Sequence, residues 1–163
     1  MECATFIGQN ACNPIDGVRV ATSVGRRAGG GAVDVGLLGL RLFTGAALAF
    51  AHGINKLPPT DRFVAGIAEM GFPFPVFFAW ASALAEFGGG LLLAAGLFTR
   101  PAAFCIVVNM AVATFIRQAG DPFTEREPAM LFGMIALLYL IAGPGQLSID
   151  AMRVRRRVRE PSP

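Results

Sequence analysis

Long apolar runs alternate along the chain with short segments that collect proline, glycine and charge. Residues 75–98 are apolar throughout except for Ser82 and one ionisable group, Glu86, near the midpoint. At ~1.5 Å per residue this run exceeds the ~30 Å hydrocarbon core of a bilayer, so it predicts a transmembrane helix with a carboxylate inside it. Three further runs predict spans. The first covers about residues 33–57, carries Asp34, Arg41, His52, Asn55 and Lys56, and stops at Pro58-Pro59. Proline removes a backbone donor and disfavours helix at the residue before it. Another covers about residues 102–117, and the last covers about 128–142, ending at Gly143-Pro144-Gly145. Between spans one and two, residues 60–74 predict a short interfacial helix. Thr99-Arg100-Pro101 predicts a tight turn that makes spans two and three antiparallel neighbours. Thr124 and Glu127 match a capping box that would open the fourth helix. The expected fold class is all-α, an antiparallel bundle of four transmembrane helices. It occupies residues 32–150, between a flexible cytoplasmic tail (1–31) and a basic cytoplasmic tail (151–163).

Composition agrees with this pattern. A hydrophobic content of 54%, only 15% charge and a mean hydropathy of +0.57 are too apolar for an ordinary soluble domain. The formal charge of +3 comes mainly from Arg153, Arg155, Arg156, Arg157 and Arg159, directly after the last apolar run. That position reads as a cytoplasmic stop signal beside a membrane, not as a nucleic-acid patch. With both termini inside, Arg19, Arg26, Arg27, Arg100 and the tail arginines face Lys56, Arg62, Arg117 and Arg126 across the membrane. The positive-inside rule then expects both termini in the cytoplasm of a bacterial inner membrane.

Cys3 and Cys12 lie in the N-terminal tail and Cys105 in an apolar run. Without a Cys-x-x-Cys pair a thiol-disulfide oxidoreductase is not supported, and with a single histidine no metal is expected. The tail has no apolar core of signal-peptide length. No Walker loop, dinucleotide fingerprint or nucleophile elbow occurs, and no internal repeat supports an inverted-repeat transporter.

The polar residues inside the spans recur at helical spacing. Arg41, Gly45, Leu48, His52 and Asn55 form one stripe, and Ala79, Ser82, Glu86, Gly89, Leu93 and Gly96 a second. Cys105, Asn109, Val112 and Ile116 form a third. Small side chains permit close helix approach and polar ones gain partners there, so the stripes are expected to meet at one bundle axis. Glu86 and Asn109 fall near mid-membrane, Arg41 nearer the cytoplasm, and His52 and Lys56 nearer the outside. An Arg41–Glu86 ion pair is expected from these depths. Arg41, His52, Glu86 and Asn109 are the candidates for ligand binding or proton acceptance, because intramembrane ionisable groups are so often functional. Ser82, Gly89 and Lys56 read as packing or interface residues, with Lys56 snorkelling to the surface. The competing reading makes Glu86 a glue between helices, at about 0.6–2 kcal/mol per interhelical bond.

Three phrases carry a resemblance. They are Arg41-Leu42-Phe43 with His52-Gly53-Ile54-Asn55-Lys56-Leu57, then Ala85-Glu86-Phe87-Gly88-Gly89-Gly90-Leu91 with Gly96-Leu97-Phe98-Thr99-Arg100, then Gly143-Pro144-Gly145-Gln146-Leu147-Ser148-Ile149-Asp150. In this order and spacing the chain resembles the DoxX family of small bacterial membrane proteins. The resemblance implies a four-helix membrane bundle and, for some members, association with membrane oxidoreductase complexes. The expected function is then a quinone-interacting or accessory subunit of such a complex. Glu86 would accept a proton or anchor the ligand, Arg41 would be its charge partner, and His52 would donate to a quinone carbonyl. The alternatives are a non-catalytic membrane scaffold that recruits a soluble partner, and a small-solute or proton pathway. Expected partners are the lipid bilayer, a partner subunit or a second copy of the chain, and a quinone, with no nucleic acid.

Overall fold

The described residues, 30–159 of a computed structural model, form helices with no strand among them. The expected flexible tail, with Cys3, Cys12, Arg19, Arg26 and Arg27, lies outside them. The order is α1 (Gly30–Ala46), which continues through a π-helical segment (Ala47–Gly53) and a 3-10 turn (Ile54–Lys56), then α2 (Asp61–Glu69) and α3 (Pro75–Ala95). Next come α4 (Thr99–Val112), extended by a second π segment (Ala113–Arg117), then α5 (Phe123–Ala142) and α6 (Ile149–Arg159). Three of the helices are long and apolar enough to cross a membrane, namely Gly31–Lys56, Pro75–Ala95 and Thr99–Arg117.

Local sequence accounts for the boundaries. Pro75 opens α3 with a φ already suited to a first helical turn. Gly96, at φ +67°, closes it: Gly96 N–H donates to Leu93 O and Leu97 N–H to Leu92 O, both at 3.0 Å, a Schellman pair that needs a left-handed residue. Thr60 accepts the Phe63 amide at 3.3 Å and starts α2, the short helix expected in that loop. Two expectations are corrected. The turn between α3 and α4 is residues 96–98, and Thr99-Arg100-Pro101 already belongs to α4. The capping box does not form, because Thr124 is itself helical in an α5 that begins at Phe123 after Pro122. The arginine-rich stretch expected as a tail is largely the helix α6.

The first span and α3 approach backbone to backbone. A Cβ on Gly45 would lie 2.5 Å from Gly90 O, and one on Gly53 would lie 2.5 Å from Phe87 N. Only small residues allow such a seam, which gains dispersion contact where lipid supplies no hydrophobic driving force between helices. On its other side α3 packs on α4, and α4 packs on α5. Leu48, Leu93, Ala103, Ile106, Met110, Ala136 and Tyr139 form the buried core. The Tyr139 hydroxyl donates to Leu37 O at 2.6 Å and ties α5 back to α1. Large apolar side chains such as Phe43, Phe77, Phe104, Phe115 and Ile141 point outward, a surface suited to hydrocarbon.

Candidate functional site

Glu86 is 3% exposed at the junction of the first span, α3 and α4. Lys56 Nζ lies 2.6 Å from its Oε1, and Asn109 Nδ2 donates to the same oxygen at 2.9 Å. The second carboxylate oxygen, Oε2, is buried and has no hydrogen-bond partner among the described residues. Three helices therefore contribute to one charged centre, with half of its acceptor capacity unused. Buried polar groups are rarely left so, which marks Oε2 as a point where a further donor fits.

The π segment explains how Lys56 reaches this centre. In a regular α-helix residues four apart drift by about 40° around the axis. The wider π turn removes that drift, so Gly45, Ala49 and Gly53 all face inward and are buried. His52 and Asn55, expected on the facing stripe at α spacing, turn outward and are exposed. His52 instead meets the Phe132 ring of α5 edge-on, with centroids 5.5 Å apart. Lys56 is steadied from above by α2, whose Phe63 ring lies 5.4 Å from Nζ. Its side chain remains 32% exposed, which gives the buried centre a polar route to the surface.

The expected Arg41–Glu86 pair does not form. Gly45 lies against Gly90, so Arg41 falls opposite Ala94, about 12 Å along the axis from Glu86. Arg41 is 2% exposed, and its guanidinium donates to three backbone carbonyls: Ala94 O at 3.2 Å, Pro144 O at 2.8 Å and Leu147 O at 2.9 Å. Arg41 thus holds the loop after α5 against the end of α3. Ser82 is half-buried, and Gly89 lies against Ile106, where a Cβ would meet its side chain at 3.2 Å.

Asp150 completes the Arg41 end of the molecule. Its carboxylate accepts from the amides of Phe98 and Thr99 and from the Thr99 hydroxyl, each at 3.0 Å, and its own amide donates to Gly96 O at 3.0 Å. Phe98 adopts a left-handed φ of +47°, which costs about 1–2 kcal/mol for such a residue. The capping bonds from Asp150 offset this by about 0.5–2 kcal/mol. Partial burial pushes the Asp150 carboxyl up, but the hydrogen bonds from Thr99 and Phe98 and the Arg153 charge outweigh it and hold the group below the usual carboxylate range. Two sequence phrases of the resemblance, Gly96–Arg100 and Gly143–Asp150 in position, are therefore one structural joint. The sequence reads Thr99-Arg100-Pro101 as a turn, and no local pattern links it to Asp150.

An apolar groove of about 610 Å3 runs along the seam of α3 and α4, lined by Leu84, Ala85, Gly88, Gly89, Ala102 and Cys105 among others. Ala85 adjoins Glu86 in sequence and Cys105 lies one turn before Asn109. Among the described residues no three of His, Cys, Asp and Glu are grouped as metal ligands would be.

Comparison with known proteins agrees with this picture. The family model described as DoxX matches residues 36–119, just over half of the chain, and spans Arg41, Lys56, Glu86 and Asn109. An uncharacterized protein of Haemophilus influenzae is 36% identical over 72 residues, covering 40% of this chain and 54% of that protein. The chain thus spans about half the length of this curated relative. No solved structure matches the chain.

Proposed function

The chain belongs to the DoxX family, and from that premise we propose that it is a four-span inner-membrane subunit of a redox complex in which the Glu86 centre binds a quinone. The fourth span is α5, whose residues 128–142 are apolar and which packs on α4 and, through Tyr139, on α1. Both termini face the cytoplasm, since Arg100 and the α6 arginines gather at one end of the helices and Lys56, Arg62, Arg117 and Arg126 at the other.

The observation that carries the reading is the unpartnered Oε2 of Glu86 beside two donors. A quinol hydroxyl would donate to Oε2, and a quinone carbonyl would accept from Lys56 or Asn109. Glu86 is the residue that holds or releases a proton there, and Lys56, one-third exposed, links it to the outer surface. The groove beside Ala85 and Gly89 offers room for a hydrocarbon tail. Arg41 positions the far end of the bundle, and exposed His52 is left for a ligand or partner reaching the outer half of the span. Electrons come from a partner subunit, because the sequence carries no haem or dinucleotide motif.

A scaffold reading is favoured by one observation, that Lys56, Glu86 and Asn109 join three helices. Titration of ubiquinone and menaquinone analogues into the purified protein separates the two. Trp80, on α3 and about 9 Å along the axis from Glu86, is the fluorescent probe. Saturable quenching that Glu86→Gln weakens by about tenfold or more is expected, since a hydrogen bond to a charged group contributes about 1.5–3 kcal/mol. Equal and linear quenching in both proteins would sink the quinone site.

A further inference from the structure

At the end of the molecule away from Lys56, a concavity of about 550 Å3 is lined by Phe98, Arg100, Gln146, Asp150, Val154 and Arg155 among others. Its carboxylate is fully engaged, because both Asp150 oxygens accept from the start of α4. Its two guanidinium groups meet only neutral oxygens: Arg100 donates to Ile141 O at 3.4 Å and Arg155 to Gln146 Oε1 at 2.5 Å. Neither forms an ion pair among the described residues. Arg153 lies over the Phe98 ring at 5.6 Å from its centroid, and Arg156 and Arg157 are exposed on the same helix. The concavity therefore holds two guanidinium groups against one carboxylate, whose oxygens the start of α4 already engages, an excess of positive charge.

Its surroundings say which anion fits. Phe98 sits in the turn between two helices long enough to cross a membrane, so the concavity lies at the level of a bilayer surface. Around the arginines, Phe98, Leu147, Met152 and Val154 are all exposed apolar side chains. A basic helix that also displays apolar groups lies in the interfacial plane, its cations at headgroup level and its apolar side chains against the acyl boundary. Guanidinium groups match phosphate oxygens in two-pronged geometry, and the level at the bilayer surface with its apolar neighbours favours a lipid headgroup over a soluble acidic partner. We infer that the concavity between the start of α4 and α6 is a binding site for the phosphate headgroup of an anionic phospholipid, held by Arg100 and Arg155. This site is independent of the Glu86 reading.

The test uses the full chain in a neutral detergent, with retained lipid counted by native mass spectrometry. Phosphatidylglycerol is expected to stay bound at about tenfold or more lower concentration than phosphatidylcholine, and about 10 mM inorganic phosphate, roughly four orders above a micromolar site, to leave it in place. At ~1 kcal/mol per arginine near a membrane surface, the change is about fivefold each, so Arg100→Gln with Arg155→Gln weakens retention about thirtyfold. Equal retention of the two lipids overturns the inference, as does a double variant that holds phosphatidylglycerol like the wild type. Displacement by inorganic phosphate also overturns it, in favour of a free-anion site. If the double variant loses its helical circular dichroism, Arg155→Gln alone, on the exposed α6, decides by the same criteria.

Discussion

Replacing Lys56 by methionine keeps most of the length of the side chain and removes the ammonium 2.6 Å from Glu86 Oε1. The carboxylate left behind has a side chain only 4% exposed and Asn109 as its remaining donor. At that separation the attraction is about 6 kcal/mol for an effective dielectric near 20, most of it balanced by the desolvation of the two charges. Removing one partner of a fully buried pair costs about 3–5 kcal/mol. Lys56 is one-third exposed, so solvent screening lowers the expected cost to about 2–3 kcal/mol. Glu86→Gln is milder, about 1 kcal/mol, because Lys56 can swing to the surface and the new amide oxygen still accepts from Asn109. The double variant strands no charge, so it should match Glu86→Gln alone, a coupling of about 2 kcal/mol. Thermal unfolding in detergent, followed by far-ultraviolet circular dichroism, reads this as a drop of about 4–12 °C for Lys56→Met at roughly 2–4 °C per kcal/mol. Additive effects, or a Lys56 variant more stable than Glu86→Gln, would show that the ammonium does not compensate a buried carboxylate.

Two further outcomes follow from the backbone seam and from the joint at Asp150. Gly53→Ala drives a Cβ to 2.5 Å from Phe87 N and should destabilise by about 1–3 kcal/mol, while Gly39→Ala, with nothing within 4 Å, should be neutral or stabilising; equal melting shifts would refute the seam. Because Asp150 is held below the usual carboxylate range, the unfolded chain takes up this proton first as pH falls. Its contribution to stability is whole above about pH 4 and is lost as pH drops through the folded value. Asp150→Asn should therefore flatten the acid limb of thermal stability below about pH 4, and an acid limb identical to that of the wild type would sink the assignment.

The legible part of this chain is what short-range pattern encodes. Apolar runs and proline-glycine stops place α3, the short α2 and the C-terminal end of α5, but not its start at Phe123, and the lone carboxylate at residue 86 marks the polar centre. Asn109 is legible too, from its place on a helical stripe and from its depth. Lys56 reads as an interface residue from its depth near the outer end of the first span, and the π segment that brings it onto Glu86 accompanies the meeting of Gly45 and Gly53 with α3, a contact between distant parts of the chain. Regular α spacing along that span places His52 on the inner face, where the π segment does not leave it. The expected pairing of Arg41 with Glu86 rests on charge complementarity, which is visible in sequence, whereas the carbonyls of Ala94, Pro144 and Leu147 are not. The helix α6 was hidden by its arginines, since Asp150 docks its first turn on Gly96, Phe98 and Thr99, far back in the chain.

The Asp150 joint also sets a schedule. Thr99 and the carboxylate that caps it are separated by 51 residues, so at about 5–20 residues per second the cap leaves the ribosome roughly three to ten seconds after the helix it serves has begun. During that interval the start of α4 has no carboxylate to cap it, and of the three carbonyls that hold Arg41 in the finished fold Ala94 alone is made from the outset. The backbone seam between Gly45, Gly53 and α3 is available from the start, because those residues are made first. The end bearing the buried Glu86–Lys56 pair is thus assembled early, and the arginine-bearing end is latched last.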